Sequence, residues 1–272
     1  MKTIRVFPRK TIQTPTDELS WIGYPDLFSE ADQVLVSCTF SWDKPEAERM
    51  AEAWNRIAPT TLGGPAFDDP GGEFEPGKFL KTGYTITSRG CNNRCWFCYA
   101  WKRSGNIREL EIKDGWFVQD DNLLACSETH VRSVFAMLKR QPERAKFTGG
   151  IEAALIKDWH VELIADLKPT CIFFAYDTED DYEPLVNAVK LFNKSNYHDS
   201  RQLMCYVLIG YPEDTFDLAE ARLKSVYSLG VMPYAMLWRN DKGLQPLSWK
   251  QFQRFWVRPR IIRERMKNIN TA

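Results

Sequence analysis

Residues 83–101 read GYTITSRGCNNRCWFCYAW. A short strand-like run, 83–88, leads through Gly90 into three cysteines, Cys91, Cys95 and Cys98, spaced C-x3-C-x2-C. Thiolates at such spacing are soft ligands that suit zinc, copper(I) or iron–sulfur clusters. A closed structural zinc site takes four ligands, commonly as two separated pairs. Electron carriers of the ferredoxin type also supply four cysteines. This chain has no second pair: Cys38, Cys126, Cys171 and Cys205 are scattered, as are His130, His160 and His198. Three ligands on one loop fit a 4Fe–4S cluster with one iron left open for a substrate or cosubstrate, by the logic of a catalytic zinc that keeps a vacant position.

Strand-like and helix-like stretches alternate on either side. Ahead of the cysteines, 33–39 reads as a buried strand, 44–57 as a helix with Pro45 in its first turn, and 59–66 as a strand entering a glycine loop. Residues 67–78 (FDDPGGEFEPGK) are dense in Pro, Gly and acid and read as a linker. Beyond it, strands are expected at 83–88, 145–149, 171–176, 203–209 and 232–238. Helices are expected at 127–140, 157–167, 181–194 and 215–229. Short continuous apolar strands alternating with amphipathic helices predict parallel βα units. Five such units with right-handed crossovers make an open or partial barrel, whose active site lies in the loops after the strand C-termini. The cysteines and a polar insertion, 99–126, follow the first of these strands.

The chain has 272 residues, 44% hydrophobic and 26% charged, which suits a core that needs no disulfides, and its zero formal net charge selects no class of partner. Seven cysteines, an odd number, argue against a disulfide framework. The opening MKTIRVFPRK lacks a secretory apolar stretch, and no apolar run is long enough to span a bilayer, so a cytoplasmic protein without a membrane partner is the expectation.

C-x3-C-x-Φ-C, with Phe97 before the last cysteine and directly after a first strand, resembles the signature of the radical S-adenosylmethionine (SAM) superfamily. The resemblance covers roughly residues 80–240. It implies a 4Fe–4S cluster on Cys91, Cys95 and Cys98, with SAM on the open iron. It also implies a low-potential flavodoxin- or ferredoxin-like electron donor and reductive cleavage of SAM to a 5′-deoxyadenosyl radical that abstracts hydrogen from a substrate.

Later segments match in part. FTGGIEA places Gly149 and Gly150 where the superfamily holds the SAM amino group, although Ile151 stands where Glu is usual and Glu152 follows; a tight β–α turn is the other reading. Asp177 in AYDTEDD is either a ribose contact or an N-cap. In LIGYPEDT, Leu208, Gly210 and Glu213 fit the adenine-proximal spacing, with Tyr206 replacing a usual glycine. Met236 and Leu237 are apolar contacts to adenine or simply core.

Residues 33–66 resemble a reduced Rossmann-like domain of cobalamin-dependent radical SAM enzymes and methylthiotransferases. No histidine precedes His130, which disfavours cobalamin, and Cys38 alone precedes Cys91, too few for a second cluster. The expected fold is thus α/β: a small Rossmann-like βαβ remnant over 1–78, a partial (βα) barrel of parallel strands over 79–240, and a basic helical tail over 241–272.

The tail interleaves Trp249, Phe252, Phe255 and Trp256 with Lys250, Arg254 and Arg258. Base stacking with phosphate contacts would make the substrate a nucleotide or a nucleic-acid base, whereas WKQFQRFW also spaces its apolar residues as a packed helix does. A peptide or amino-acid epimerase or isomerase is the alternative enzyme, with Cys126, then Cys205, as hydrogen-atom donor or as plain buried cysteine. An iron–sulfur electron-transfer or scaffold protein is the non-enzyme alternative.

Overall fold

A computed structural model describes residues 1–195, 203–240, 242, 243 and 245–270; His198 and Asp241 lie outside the described residues. The chain is α/β with parallel-strand sheets and groups into two compact units, Met1–Gln141 and Pro142–Ala272.

In the first unit, β1 (Thr3–Phe7), β2 (Ser20–Ile22), β3 (Gln33–Ser37) and β4 (Thr60–Gly63) form a parallel sheet in the order β2-β1-β3-β4. α1 (Lys44–Trp54), with Pro45 in its first turn as expected, packs on β3 and β4. Its buried stripe of Ala47, Met50 and Trp54 meets Ile4, Val6, Val34 and Val36 of the strands. β1 and β2 are additions to the expected βαβ arrangement. The interruption that hides β1 in the sequence is Arg5, which is buried yet satisfied: it pairs with Asp17 and donates to the carbonyls of Gly77 (2.6 Å) and Lys78 (2.9 Å). Those bonds also fasten residues 67–78, which are no free linker: Arg108 donates to the carbonyls of Pro70 (3.0 Å) and Gly71 (2.6 Å).

The expected strand 83–88 is broken into β5 (Tyr84–Thr85) and β6 (Ser88–Arg89). β5 pairs in parallel with β8 (Phe117–Val118), and β6 pairs antiparallel with β7 (Arg108–Glu109). The insertion 99–126 therefore holds β7, β8 and a short helix, α2 (Ala100–Ser104). α3 (Glu128–Lys139) follows, N-capped by the Ser127 side chain, which accepts from the N–H of His130.

The second unit has a parallel sheet in the order β9-β10-β11-β12: Lys146–Phe147, Cys171–Tyr176, Leu203–Ile209 and Met232–Leu237. α4 (Asp158–Leu167), α5 (Tyr182–Lys194) and α6 (Phe216–Ser228) connect them. Alternate residues of β11 lie on opposite faces: Cys205, Val207 and Ile209 are wholly buried, and Tyr206 is half-buried. The tail forms two helices, α7 (Leu247–Phe255) and α8 (Pro259–Asn270). The backbone after α7 joins the sheet edge, where the N–H of Ala235 donates to the carbonyl of Trp256 (3.0 Å). No helix among the described residues is long and apolar enough to cross a membrane.

Trp54 is wholly buried, and its indole N–H donates to the carbonyl of Gly23 (3.0 Å). Trp54→Ala removes the largest side chain of this core; we expect denaturant unfolding to show a loss of about 3–5 kcal/mol.

Candidate functional site

The cysteine loop begins where β6 ends, and it closes on itself. The N–H of Cys91 donates to the carbonyl of Gly105 (3.0 Å), and the N–H of Ile107 donates to Asn92 Oδ1 (3.2 Å). Inside the loop, the N–H of Cys98 donates to the Cys95 carbonyl (3.1 Å), which also accepts from the Trp101 indole (2.9 Å). Gly90 makes the closure sterically feasible. Its φ is +85°, and a Cβ there would lie 2.3 Å from the Asn106 carbonyl oxygen.

Three consecutive residues after β8 hold the base of this loop. Asp120 accepts from the Thr87 N–H (2.7 Å), the Thr87 hydroxyl (2.6 Å) and the Ser88 hydroxyl (2.7 Å). Asp121 accepts from the Gly90 N–H (2.8 Å) and pairs with Arg103 (3.5 Å). The side-chain amide of Asn122 donates to Cys91 Sγ (3.5 Å), and so does the N–H of Asn93 (3.4 Å). Burial pushes the Asp120 carboxyl upward against the pull of its three hydrogen bonds. His130, buried, meets the Thr87 hydroxyl through Nε2 (3.3 Å) and Glu109 through Nδ1 (3.7 Å). No motif in the sequence announces Asp120, Asp121 or Asn122 as part of the site.

Cys91, Cys95 and Cys98 are each partly exposed, and Phe97 between them packs edge-on against Trp96 (5.4 Å). Among the described residues, no three or more His, Cys, Asp or Glu side chains are gathered closely enough to hold a metal ion. A single zinc needs every sulfur about 2.3 Å from one point; a 4Fe–4S cluster takes one thiolate per iron, which keeps its sulfurs apart. The donor set fits the cluster by its chemistry: three soft sulfurs on one loop, with two N–H groups directed at Cys91 Sγ. Hydrogen bonds of this kind to a ligand sulfur tune a bound cluster.

Cys126, also in the first unit, is part-buried, and its thiol is pushed up to about 11 by burial, despite a hydrogen bond with Ser88. Such a thiol keeps its hydrogen and is a poor nucleophile. Cys205, in the second unit, is wholly buried on β11, which leaves it no access to a substrate, and burial raises its thiol.

The remaining expected residues lie in the second unit. Gly149 is exposed, while Gly150 turns the chain at φ +97° so that the Ile151 N–H donates to the Phe173 carbonyl (2.7 Å). Glu152 is half-buried after that turn. Asp177 does not cap a helix. Thr178 and Asp181 fill the cap positions, and Asp177 Oδ1 instead accepts the Leu208 N–H (3.0 Å) of β11. Burial, and then the Asp181 charge, raises the Asp177 carboxyl to about 7.

Gly210, at φ +70°, donates its N–H to Asp214 Oδ2 (2.8 Å), and Asp214 pairs with Arg222 (2.9 Å), which also donates to the Leu208 carbonyl (3.0 Å). Asp214 and Arg222 are a second pair the sequence did not flag. Glu213 is exposed, at φ +72°, and Met236 is exposed next to the buried Leu237. Tyr206, where a glycine is usual, stacks on Phe173 (4.3 Å, 13°) and donates to the Thr148 carbonyl (3.2 Å). In the tail, Trp249 and Phe252 pack with Phe216 (4.4 and 5.4 Å), Trp256 is wholly buried, and Phe255 is exposed.

The chain matches no family model and no curated protein.

Gly90→Ala places a methyl group against the Asn106 carbonyl and costs about 2 kcal/mol or more in a left-handed turn. Hydrogen exchange at the Cys91 amide should then accelerate by more than about tenfold. For Asp177 the sign is fixed by its raised value. The folded chain keeps a proton that the unfolded chain releases near pH 4, so the associated stability is complete below that and is lost as pH rises to about 7. Between pH 5 and 8 the wild type should lose about 2–3 kcal/mol relative to Asp177→Asn, read as unfolding free energy across pH.

Proposed function

We propose that this chain is a radical SAM enzyme with one 4Fe–4S cluster on Cys91, Cys95 and Cys98 and with its parallel strands in a partial (βα) barrel. The observation that carries the reading is the self-closed three-cysteine loop, with N–H donors on Cys91 Sγ and a base clamped by Asp120 and Asp121. When bound, the cluster supplies the electron that splits SAM and yields a 5′-deoxyadenosyl radical that takes hydrogen from a substrate. The chain's own part is to hold three thiolates on a fixed loop and, through Gly149, Gly150, Glu152, Asp177, Leu208, Gly210, Glu213 and Met236, to contact SAM. A flavodoxin- or ferredoxin-like protein is the electron donor this chemistry needs.

For the substrate, the packing of Trp249, Phe252 and Trp256 favours a structural tail over a base-stacking surface. In a second reading, an epimerase or isomerase of peptides or amino acids, the part-buried Cys126 beside Ser88 gives its hydrogen atom to a carbon-centred substrate radical, and the thiyl radical left on Cys126 takes one electron from the electron donor and one proton from solvent.

Anaerobic reconstitution should load about four irons per chain, and reduction in the presence of SAM should release 5′-deoxyadenosine. The variant with Cys91, Cys95 and Cys98 all changed to Ala should load no cluster and release none. Iron loading with SAM left intact would return the chain to the electron-transfer class, and zinc in place of iron would end the proposal.

A further inference from the structure

The four-stranded sheet of the first unit has a feature the cluster reading does not use. From β1 the chain passes to β2 on one side, and then to β3 on the other. All four strands are parallel, so the segments leaving β1 and β3 diverge at their C-terminal ends. In open parallel sheets this switch point is where ligands bind. A cavity of about 370 Å³ opens there, lined by Phe7 and Arg9 at and after the end of β1 and by Ser37 and Phe40 at and after the end of β3. Its size is that of a small-ligand cleft.

We propose that this cavity is a binding site for an uncharged heteroaromatic ligand of the nucleoside class. Four observations set that chemistry, and none rests on the cluster reading.

The first is flat walls. Arg9 Nε donates to Asp43 Oδ2 (2.6 Å), and a second nitrogen of Arg9 donates to Asp43 Oδ1, so the guanidinium plane is fixed. It lies over the Phe40 ring, 5.8 Å from the ring centre, and Trp42 also stacks on that ring (4.9 Å, 11°). A fixed guanidinium is a surface on which a heterocycle stacks, so a ligand ring would extend this stack on the outer side of Arg9. The second is Ser37, only 8% exposed, whose hydroxyl has no hydrogen-bond partner among the described residues. The hydroxyl lines the cavity rather than being sealed in the core, so it is open to hydrogen-bond a ligand's polar edge.

The third is charge. Arg9 is the one cation and Asp43 the one anion of the lining, and they neutralise each other. Asp43 also stands at the N-terminus of α1, the place a phosphate would otherwise take. The fourth is Gly64. A Cβ there would come within 3.1 Å of Ser37 Oγ and 2.8 Å of the Cys38 carbonyl, so the bare backbone keeps the hydroxyl uncovered.

The test is calorimetric titration of the full chain with adenosine, guanosine, cytidine and uridine, and with their 5′-monophosphates. We expect saturable binding of at least one nucleoside, weakened about threefold to tenfold in Ser37→Ala and about tenfold or more in Phe40→Ala. It should be unchanged in Thr61→Ala, on the exposed side of β4. The monophosphate should bind no more tightly than its nucleoside. Absence of binding by all four nucleosides, binding indifferent to both cavity variants, or salt-dependent preference for the monophosphate overturns the proposal. Should a variant lose its circular-dichroism signal, photolabelling of the wild type with 8-azidoadenosine decides instead: label within residues 7–14 or 37–43 supports the site, and label confined to other peptides removes it.

Discussion

The cysteine loop stands on three consecutive side chains, Asp120, Asp121 and Asn122. One holds Thr87 and Ser88, the next holds the Gly90 N–H, and the third touches the sulfur of Cys91. This clamp depends on a very short piece of sheet. The two-residue pairing of β5 with β8 sets the register that lets the Gln119 N–H reach the Thr85 carbonyl (3.0 Å), and the next three residues then lie against 87–91. Burying the Asp120 carboxyl is costly, and it is tolerated because three donors converge on it. Replacing any one of those donors by an apolar group leaves the others to carry a buried carboxylate, so the clamp behaves as a unit rather than as separable bonds.

Much of the fold was legible in the sequence, for reasons visible in particular elements. β10 and β11 are continuous apolar runs and match their expected spans to the residue. α3 and α6 carry their own start signals in Ser127 and Thr215, whose side chains accept from the third residue on. β1 was missed because a charged residue interrupts it. Arg5 in TIRVF reads as solvated until Asp17 and the carbonyls of Gly77 and Lys78 are brought to it from elsewhere in the chain. β8 was missed because two residues show no period, and its existence depends wholly on β5.

The candidate site divides in the same way. Spacing alone singles out Cys91, Cys95 and Cys98, because ligands on one loop are local. The clamp is not local: Asp120 lies 33 residues from Thr87, and Asn122 lies 31 from Cys91. Neither distance leaves a pattern that periodicity can detect. That Asp177 is not a cap was also beyond sequence, since its carboxyl is engaged by the Leu208 N–H on the neighbouring strand. Tyr206 shows the reverse case. A departure from the resembling pattern is plain in the sequence, but its effect, a ring stacked on Phe173 where a glycine would leave space, is seen only in the fold.

At the strand ends of the second unit, three of the backbone donors that a ligand would seek are already engaged. The N–H groups of Ile151, Leu208 and Gly210 are bonded to the Phe173 carbonyl, Asp177 and Asp214 in turn. At those three positions a molecule bound along this edge would be met by side chains and carbonyl oxygens. Asp177 is the group best suited to that role: Oδ1 is held by Leu208, and Oδ2 has no hydrogen-bond partner among the described residues. An ordinary aspartate would present only an acceptor there. A carboxyl raised to about 7 is close to half protonated near neutrality, so it presents either an acceptor oxygen or an O–H donor. That duality suits a ligand hydroxyl, which can both give and accept a hydrogen bond, better than it suits a cation, which needs the charged form throughout.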